Sequence, residues 1–449
     1  MNKKPLILMI SLLLSSLLVS AASYTEPDLK ALLLSNNLKL KQAISEQDLS
    51  TLEVKDAKAG YGPTVDLEVS GTYLANPMDT LSFELPFPLG SSTPVTIDTG
   101  LTNTLYNFSL TLTQPLWTWG KLKNGVAMTE KLVQIRQAQR FALQKSLLSE
   151  LSSRLYAHHY LLAMEGLFDE EQKLAQTLVT LAEEGVSNGM LLKEEALSAK
   201  VSLRQIALAK TQVANQRQQQ RRAIANLCNI TIDEDDELVG ELDQEQLRSL
   251  LSYDLKTLQA LATAKSQEQV RIANLMTDLA ALASSVAEGS LYWKPDMAMQ
   301  VSLGYGGSKF LFVERDDYTF NVSVGMKSTI YDGGKKFHEV SRKAIKEEQS
   351  YFDKDQMVQA LLTQVEEAYL ALHLADESLA YLSLKREAAL SEGEQKRLLF
   401  VSGYGYEADL VKAELARVAI ECEMEQQWLA YTGAFATITY LCGLENRLL

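Results

Sequence analysis

The chain has little of what catalysis and metal binding draw on. Its 449 residues include three cysteines and four histidines. Cys228, Cys422 and Cys442 form no CxxC pair and have no histidine at zinc spacing, which points away from a metal or redox centre. Cys228 and Cys442 stand 214 residues apart, in N-L-C-N and Y-L-C-G, and read as small apolar positions of a repeat rather than as a disulfide. His158, His159 and His373 fall in long helical patterns, and His338 just inside one. HExxH and G-x-S-x-G are missing. Gly325-Met326-Lys327-Ser328 has the tail of a phosphate-binding loop, but position 320, where a leading glycine is needed, is Phe320. Gly304-Tyr305-Gly306-Gly307 is a hairpin turn without a dinucleotide fingerprint. No catalytic residue, cofactor or metal ligand is expected.

Basic charge is also short: 43 Lys and Arg against 57 Asp and Glu give a formal net charge of −14, which argues against a nucleic-acid partner. No run reads as a spanning helix. The nearest, Gln426–Leu444, carries Thr, Gly and Tyr throughout and reads as a buried amphipathic helix.

What is present begins with a leader. Lys3 and Lys4, apolar Leu6–Val19 and small Ser20–Ser23 predict a secretory signal over residues 1–23, with no cysteine after it for a lipid anchor. Asp28 to about Gly60 is helical in composition and stops at Gly60-Tyr61-Gly62-Pro63. The rest is organised by two junctions. Asn107–Lys121 reads N-F-S-L-T-L-T-Q-P-L-W-T-W-G-K, and Phe320–Lys335 reads F-N-V-S-V-G-M-K-S-T-I-Y-D-G-G-K. Each is an alternating strand running through an aromatic and glycine turn into a long helical pattern. A shift of 214 lays Trp117 on Tyr331, Gly120 on Gly334 and Lys121 on Lys335, so one unit is built twice.

The first repeat, 24–248, is expected to hold strands 64–73 and 105–114, a long helix 120–184, a return helix 190–229 and an acidic link, Asp233–Glu245, read as a solvated connection. Leu74–Thr104, with Pro77, Pro86, Pro88 and Pro94, reads as a loop. The second repeat, 249–449, is expected to hold a helix to about Ala287, strands 296–305 and 318–327, a short loop Gly306–Asp317, a long helix 335–399 and a return helix 407–444. The long helices would reach roughly 95 Å, far beyond ordinary globular helices. The second carries a heptad, with Val358, Val365, Leu372 and Leu379 at one position and Leu361, Ala368, Ala375 and Leu382 at the other, as in packed coiled coils.

Four strands of about ten residues alternate cleanly and have aromatic ends, as membrane-spanning strands do. Tyr73, Tyr106, Trp117, Trp293, Tyr305, Tyr318 and Tyr331 are the expected aromatic girdle. The polar parity, Asp66, Glu68, Thr111, Thr113, Gln300, Ser302, Asn321 and Ser323, is the expected lumen, negative enough to favour cations. Four strands cannot close a barrel in lipid, where open edges leave backbone groups unpaired, so several chains must share one. Eight strands would be filled by their own side chains, and more are needed for an open lumen.

With these residues in hand, the chain resembles the TolC-type outer-membrane efflux protein family. The carriers are the twofold repeat, the junctions Gln114–Lys121 and Thr329–Lys335, and the glycine-containing helix breaks at Gly185 and Gly403. Trp119 is a departure, since a glycine is common there, and the first external loop is unusually long. The resemblance implies an α+β membrane protein whose three chains form a twelve-stranded β-barrel on a long α-helical coiled-coil tunnel. It further implies an exit duct for drugs, small toxic molecules or secreted proteins, lodged in outer-membrane lipid and working with a periplasmic adaptor and an inner-membrane transporter. Gly185, Gly189, Gly403 and Gly405 become the helix turns for adaptor docking. Asp409 becomes an acid of the closed periplasmic entrance, with Glu194 matched to Lys412 and a Glu194–Lys412 pair helping to hold it. The rival from another class is a soluble periplasmic coiled-coil scaffold or adaptor, which explains the helices without requiring four aromatic-ended strands.

Overall fold

A computed structural model describes residues 23–75, 80–86, 92–98, 103–233, 236–240, 244–307 and 318–444. The expected leader lies outside them except for Ser23, as does residues 308–317 of the second strand connection. The chain divides into two compact units. One is Met1–Glu46, Gln137–Ala273 and Lys354–Leu449; the other is Gln47–Arg136 and Asn274–Asp353.

The strand unit carries a four-stranded antiparallel sheet. Its strands are β2 (Thr64–Tyr73), β5 (Thr104–Trp117), β7 (Asp296–Gly307) and β8 (Tyr318–Lys327), in the order β2-β5-β7-β8. β5 continues past the expected residue 114, through Pro115. A bulge between Pro115 and Trp117 lets this happen: Trp117, not Leu116, comes opposite Met297. The segment read as a loop holds a second hairpin, β3 (Thr80–Pro86) with β4 (Ser92–Asp98), in a separate two-stranded sheet. Its prolines hid it. Each strand of a pair is an edge, and an edge tolerates residues without an N–H; Pro94 sits opposite Glu84 within the ladder.

The helical unit is a repeat in its backbone. α3 (Lys121–Ser187) and α8 (Lys335–Val401) each have 67 residues, and α4 (Lys193–Cys228) and α9 (Glu407–Cys442) each have 36. All four boundaries are offset by 214. α3 and α8 have residues in both units. The expected first helix is two, α1 (Glu26–Asn36) and α2 (Leu38–Ala59). Asn37 divides them: its Oδ1 accepts from Leu40 N at 3.0 Å and its Nδ2 donates to Leu227 O at 2.8 Å. The helix before β7 is likewise two, α6 (Leu255–Ala262) and α7 (Glu268–Gly289), after a short α5 (Gln244–Arg248).

One core is centred on each repeat, and Tyr160 and Leu247 of the first join that of the second. In the first, Leu147, Leu151, Leu155, Ile224 and Cys228 pack with Leu29 and Leu33. In the second, Leu361, Val365, Leu372, Ile438 and Cys442 pack with Leu258 and Tyr431. Every heptad residue of α8 named above is buried except half-buried Val358. The cysteines are free and buried, and the two repeated thiols do the same work. Cys228 Sγ lies 3.5 Å from Leu29 O, and Cys442 Sγ 3.4 Å from Leu258 O.

The acidic link is not simply solvated. Its residues Glu237–Val239 form β6, which pairs in parallel with β1 (Ser23–Thr25). Arg221 of α4 donates to the backbone oxygens of Asp233 and Asp236, and Asp236 is buried.

Candidate functional site

The sheet presents two chemically different faces, built row by row across all four strands. Val65, Leu112, Val301 and Val322 form one row, and Leu67, Leu110, Leu303 and Phe320 the next. Val69, Phe108, Tyr305 and Tyr318 form the third. Because successive side chains point to opposite faces, the intervening rows are polar. Asp66, Thr111, Ser302 and Asn321 make one; Thr64, Thr113, Gln300 and Ser323 make another. Glu68 stands in a third with Ser109, Gly304 and Thr319. The eight residues expected at a lumen therefore share one face. The edge strands β2 and β8 are exposed along their whole length, and among the described strands each has a neighbour on one side only.

The expected girdle residues divide. Tyr73, Trp117, Trp293, Tyr318 and Tyr331 are exposed, and Tyr106 is half-buried on β5, its ring 3.6 Å from where a Cβ on Gly71 would stand. Tyr305 departs from the expectation. It is only 6% exposed, its ring centroid 5.4 Å from that of Tyr318, because β7 is an inner strand with a ring on the neighbouring strand.

Both strand-to-helix junctions turn through two successive left-handed residues, Trp119 and Gly120 in the first and Gly333 and Gly334 in the second. Trp119 is the residue sequence reasoning marked as a departure. Its Nε1 donates to Pro295 O at 2.8 Å, and its ring meets that of Trp117 edge-on, with centroids 6.0 Å apart. Lys121 pairs with Asp296 beside it. At the second junction the Tyr292 hydroxyl donates to Asp332, and the Ser328 hydroxyl donates to Tyr292 O at 2.6 Å.

The second candidate surface is the pair of helix turns in the helical unit. Gly189 and Gly403 are the equivalent residues, both left-handed. Around them the hydrogen bonds repeat. Met190 N donates to Gly185 O at 2.8 Å and Gly189 N to Val186 O at 3.1 Å; Tyr404 N donates to Leu399 O at 2.9 Å and Gly403 N to Phe400 O at 3.0 Å. This is the glycine-terminated helix stop in which two orphan carbonyls are satisfied at once. The match of Gly185 to Gly403 expected from sequence is thus corrected: Gly185 corresponds to Leu399, and Gly405 to Leu191. Size is exchanged between those positions. A Cβ on Gly185 would lie 2.6 Å from Leu191 Cδ1, and one on Gly405 3.1 Å from Leu399 Cβ. Each turn places one leucine over one glycine, in opposite order.

The correction carries to the entrance residues. The equivalent of Asp409 is Glu195, which lies in the first turn of α4 as Asp409 lies in the first turn of α9. Glu195 caps its helix, its carboxylate accepting from Leu192 N at 3.1 Å. Glu194 is exposed, and no ion pair joins it to Lys412 among the described residues. Lys412 instead lines a cavity of about 360 Å³ with Glu195, Leu178, Leu181 and Leu191. One residue along a helix rotates the side chain by about 100°, enough to take Glu194 off that face. Asp409 is half-buried. Applying the 214-residue shift to Asp409 would have found Glu195.

Sequence reasoning also missed an ion cluster farther along these helices. Arg417 of α9 reaches Glu170 at 2.6 Å, Glu421 at 2.8 Å and Glu414 at 3.5 Å, and Arg386 reaches Glu421 at 2.9 Å. Nearby, burial pushes the carboxyls of Glu171 and Glu425 above their ordinary value, Glu425 with help from Glu421. Glu414, Arg417 and Glu421 stand at helical spacing, but nothing along the chain marks Glu170 or Arg386 as their neighbours.

Residues 29–230 match the family model described as outer membrane efflux protein. No curated protein matches the chain in sequence. Several solved structures share its fold. The CmeC outer membrane channel of Campylobacter jejuni is 13% identical with a TM-score of 0.74, the match covering 93% of this chain and 85% of that one. The outer membrane protein VceC of Vibrio cholerae is 14% identical at 0.73, covering 93% and 96%. CusC, studied for transmembrane channel formation, is 14% identical at 0.73, covering 93% and 91%. By family model over its first repeat and by fold over nine-tenths of its length, the chain resembles the TolC-type outer-membrane efflux proteins.

Proposed function

We propose that three copies of the chain form a twelve-stranded β-barrel in the outer membrane, with the helices as a periplasmic tunnel. The assembly is the exit duct of a tripartite efflux or type I secretion system. The observation that carries this reading is the two-faced sheet with unfinished edges. Its apolar rows suit lipid and its polar rows suit water. Its edges, β2 and β8, would leave unpaired backbone groups in hydrocarbon unless another copy covers them. Exposed Leu370, Leu374, Tyr381 and Leu384 on α8 favour the same contact between copies in the helical unit. Asp66, Glu68, Thr111, Thr113, Gln300, Ser302, Asn321 and Ser323 then line the lumen. The helix turns at Gly189 and Gly403, with Gly185 and Gly405 beside them, meet the adaptor that links the duct to an inner-membrane transporter. Asp409 and its equivalent Glu195 line the closed entrance.

The test is planar-bilayer conductance of the detergent-purified protein, with its mass measured in the same sample. Discrete channel steps from a three-chain particle are expected. A soluble particle that never inserts would sink the reading and leave a periplasmic scaffold. In channels that do insert, Asp409→Ala with Glu195→Gln is expected to raise single-channel conductance; unchanged conductance removes those two residues from the entrance.

A further inference from the structure

In the strand unit, α3, α7 and α8 line an open cavity of about 230 Å³. Its floor is apolar: Met128 from α3 and Ala283, Val286 and Ala287 from α7. Its rim is charged: Lys336, Glu339 and Lys343 from α8. The rim is not neutral. Between Asp332 and Lys343 four cations, Lys335, Lys336, Arg342 and Lys343, share two carboxylates, on a chain whose formal net charge is −14. Glu339 is already divided between Arg342 and Lys343, the latter at a loose 3.7 Å. Asp332 is engaged by the Tyr292 hydroxyl, and Lys336 Nζ lies 5.0 Å from the centre of the Tyr292 ring.

The place of the cavity in the chain matters as much as its lining. α7 ends at Gly289 just before β7 begins at Asp296, and α8 begins at Lys335 just after β8 ends at Lys327. The apolar face of the sheet runs to this end through exposed Met326. The turn beyond it carries Ile330 and Tyr331, 90% and 83% exposed. A hydrocarbon layer against that face would end at the level of the lysines, where phosphates of the lipid headgroups lie. Basic pockets beside membrane spans suit anionic headgroups, and a lysine ammonium binds phosphate as a point charge.

We propose that this cavity holds an anionic phospholipid of the surrounding membrane, its phosphate on Lys336 and Lys343 and the start of an acyl chain on Met128, Ala283, Val286 and Ala287. The proposal rests on the membrane-inserted reading above. Charge complementarity favours this occupant over an apolar helix, which would leave the surplus cations unanswered. It favours it over free phosphate because half of the lining is apolar.

The experiment is native mass spectrometry of the intact detergent-purified oligomer, delipidated and titrated with phosphatidylglycerol or phosphatidylethanolamine. The same sample is tested for bilayer conductance. Phosphatidylglycerol adducts are expected to saturate at one per chain and to outlast phosphatidylethanolamine adducts. Lys336→Gln with Lys343→Gln is expected to weaken them roughly 30-fold, about fivefold per lysine. Ala283→Leu, which keeps the charge and fills the floor, should also weaken them. Equal retention of the two lipids, displacement by inorganic phosphate, or no adduct on a particle that conducts would each overturn the lipid site while leaving the channel intact. A particle that never inserts would overturn the channel reading itself. Should a variant fail to assemble, the comparison of two lipids and phosphate on the unaltered protein still decides the matter.

Discussion

Trp119 and Gly333, 214 residues apart in sequence, hold the same left-handed backbone, with φ of 52° and 72°. They are one of four such pairs. Gly120 and Gly334 follow them, Gly189 and Gly403 end the long helices, and Asn229 and Gly443 end the return helices. Together these are all the positive-φ residues among those described. Left-handed backbone disfavours a Cβ, so a non-glycine there needs compensation. Trp119 has it in the Pro295 hydrogen bond and the Trp117 ring.

Alanine at two glycines of α8 and its junction separates backbone strain from crowding. A Cβ on either Gly333 or Gly393 meets nothing within 4 Å. Gly333 is left-handed, so Gly333→Ala should lower stability by about 1–2 kcal/mol. Gly393 lies inside α8 with no left-handed φ, so Gly393→Ala should raise it by about 0.5–1 kcal/mol. Urea unfolding followed by circular dichroism reads both, and equal signs would contradict the assignment.

The helix turns offer a size-swap test. Gly405→Leu puts two leucines at the second turn, where the Cβ also meets Phe400 N at 2.9 Å, and is expected to cost about 1–3 kcal/mol. Adding Leu399→Gly recreates the order found at the first turn and should recover part of that loss. A double variant no better than the single one would show that the two positions do not compensate.

His158 predicts a pH dependence. It is 2% exposed, and burial, then Arg221 and Arg217, with a smaller push from His159, hold its pKa down at about 4, against an ordinary 6.5. Neither ring nitrogen has a hydrogen-bond partner among the described residues. In the fold it stays neutral while the unfolded chain takes up a proton, so acid favours unfolding. The stabilisation is complete above pH 6.5, is lost as pH falls toward 4, and amounts to about 3 kcal/mol at most. His158→Phe should flatten the urea midpoint between pH 7 and pH 5. An unchanged slope would assign the acid sensitivity elsewhere.

The polar face of the sheet predicts ion selectivity. Asp66 and Glu68 are the carboxylates of its three central rows. Asp66→Asn with Glu68→Gln should reduce cation preference, read as a smaller reversal potential in a salt gradient. Retained preference would take these two acids out of the conducting path.

Much of this was legible in the sequence because it repeats. The alternation of Thr64–Tyr73 and Tyr318–Lys327 marked both edge strands residue by residue, and the α8 heptad marked its buried seam. What escaped was local chemistry that periodicity does not carry. Asn37 splits a helix through a side-chain cap, the Pro115 bulge carries a strand three residues further, and the prolines around Phe83 masked a hairpin. At the entrance, matching turns by their first glycine paired Gly185 with Gly403. The backbone follows the constant shift of 214 and pairs Glu195 with Asp409.

Among the described residues the β3–β4 hairpin has no counterpart in the second half, where ten residues separate β7 from β8. Otherwise the two hairpins of the sheet are near copies, and three chains would present six similar ridges at the barrel mouth. The extra hairpin breaks that likeness. In the proposed trimer a long connection, 74–103, and a short one, 308–317, would alternate around the opening, giving it threefold rather than sixfold likeness. Changes confined to residues 74–103 would alter that alternation and leave the ladder pairs of β2 and β5 in register.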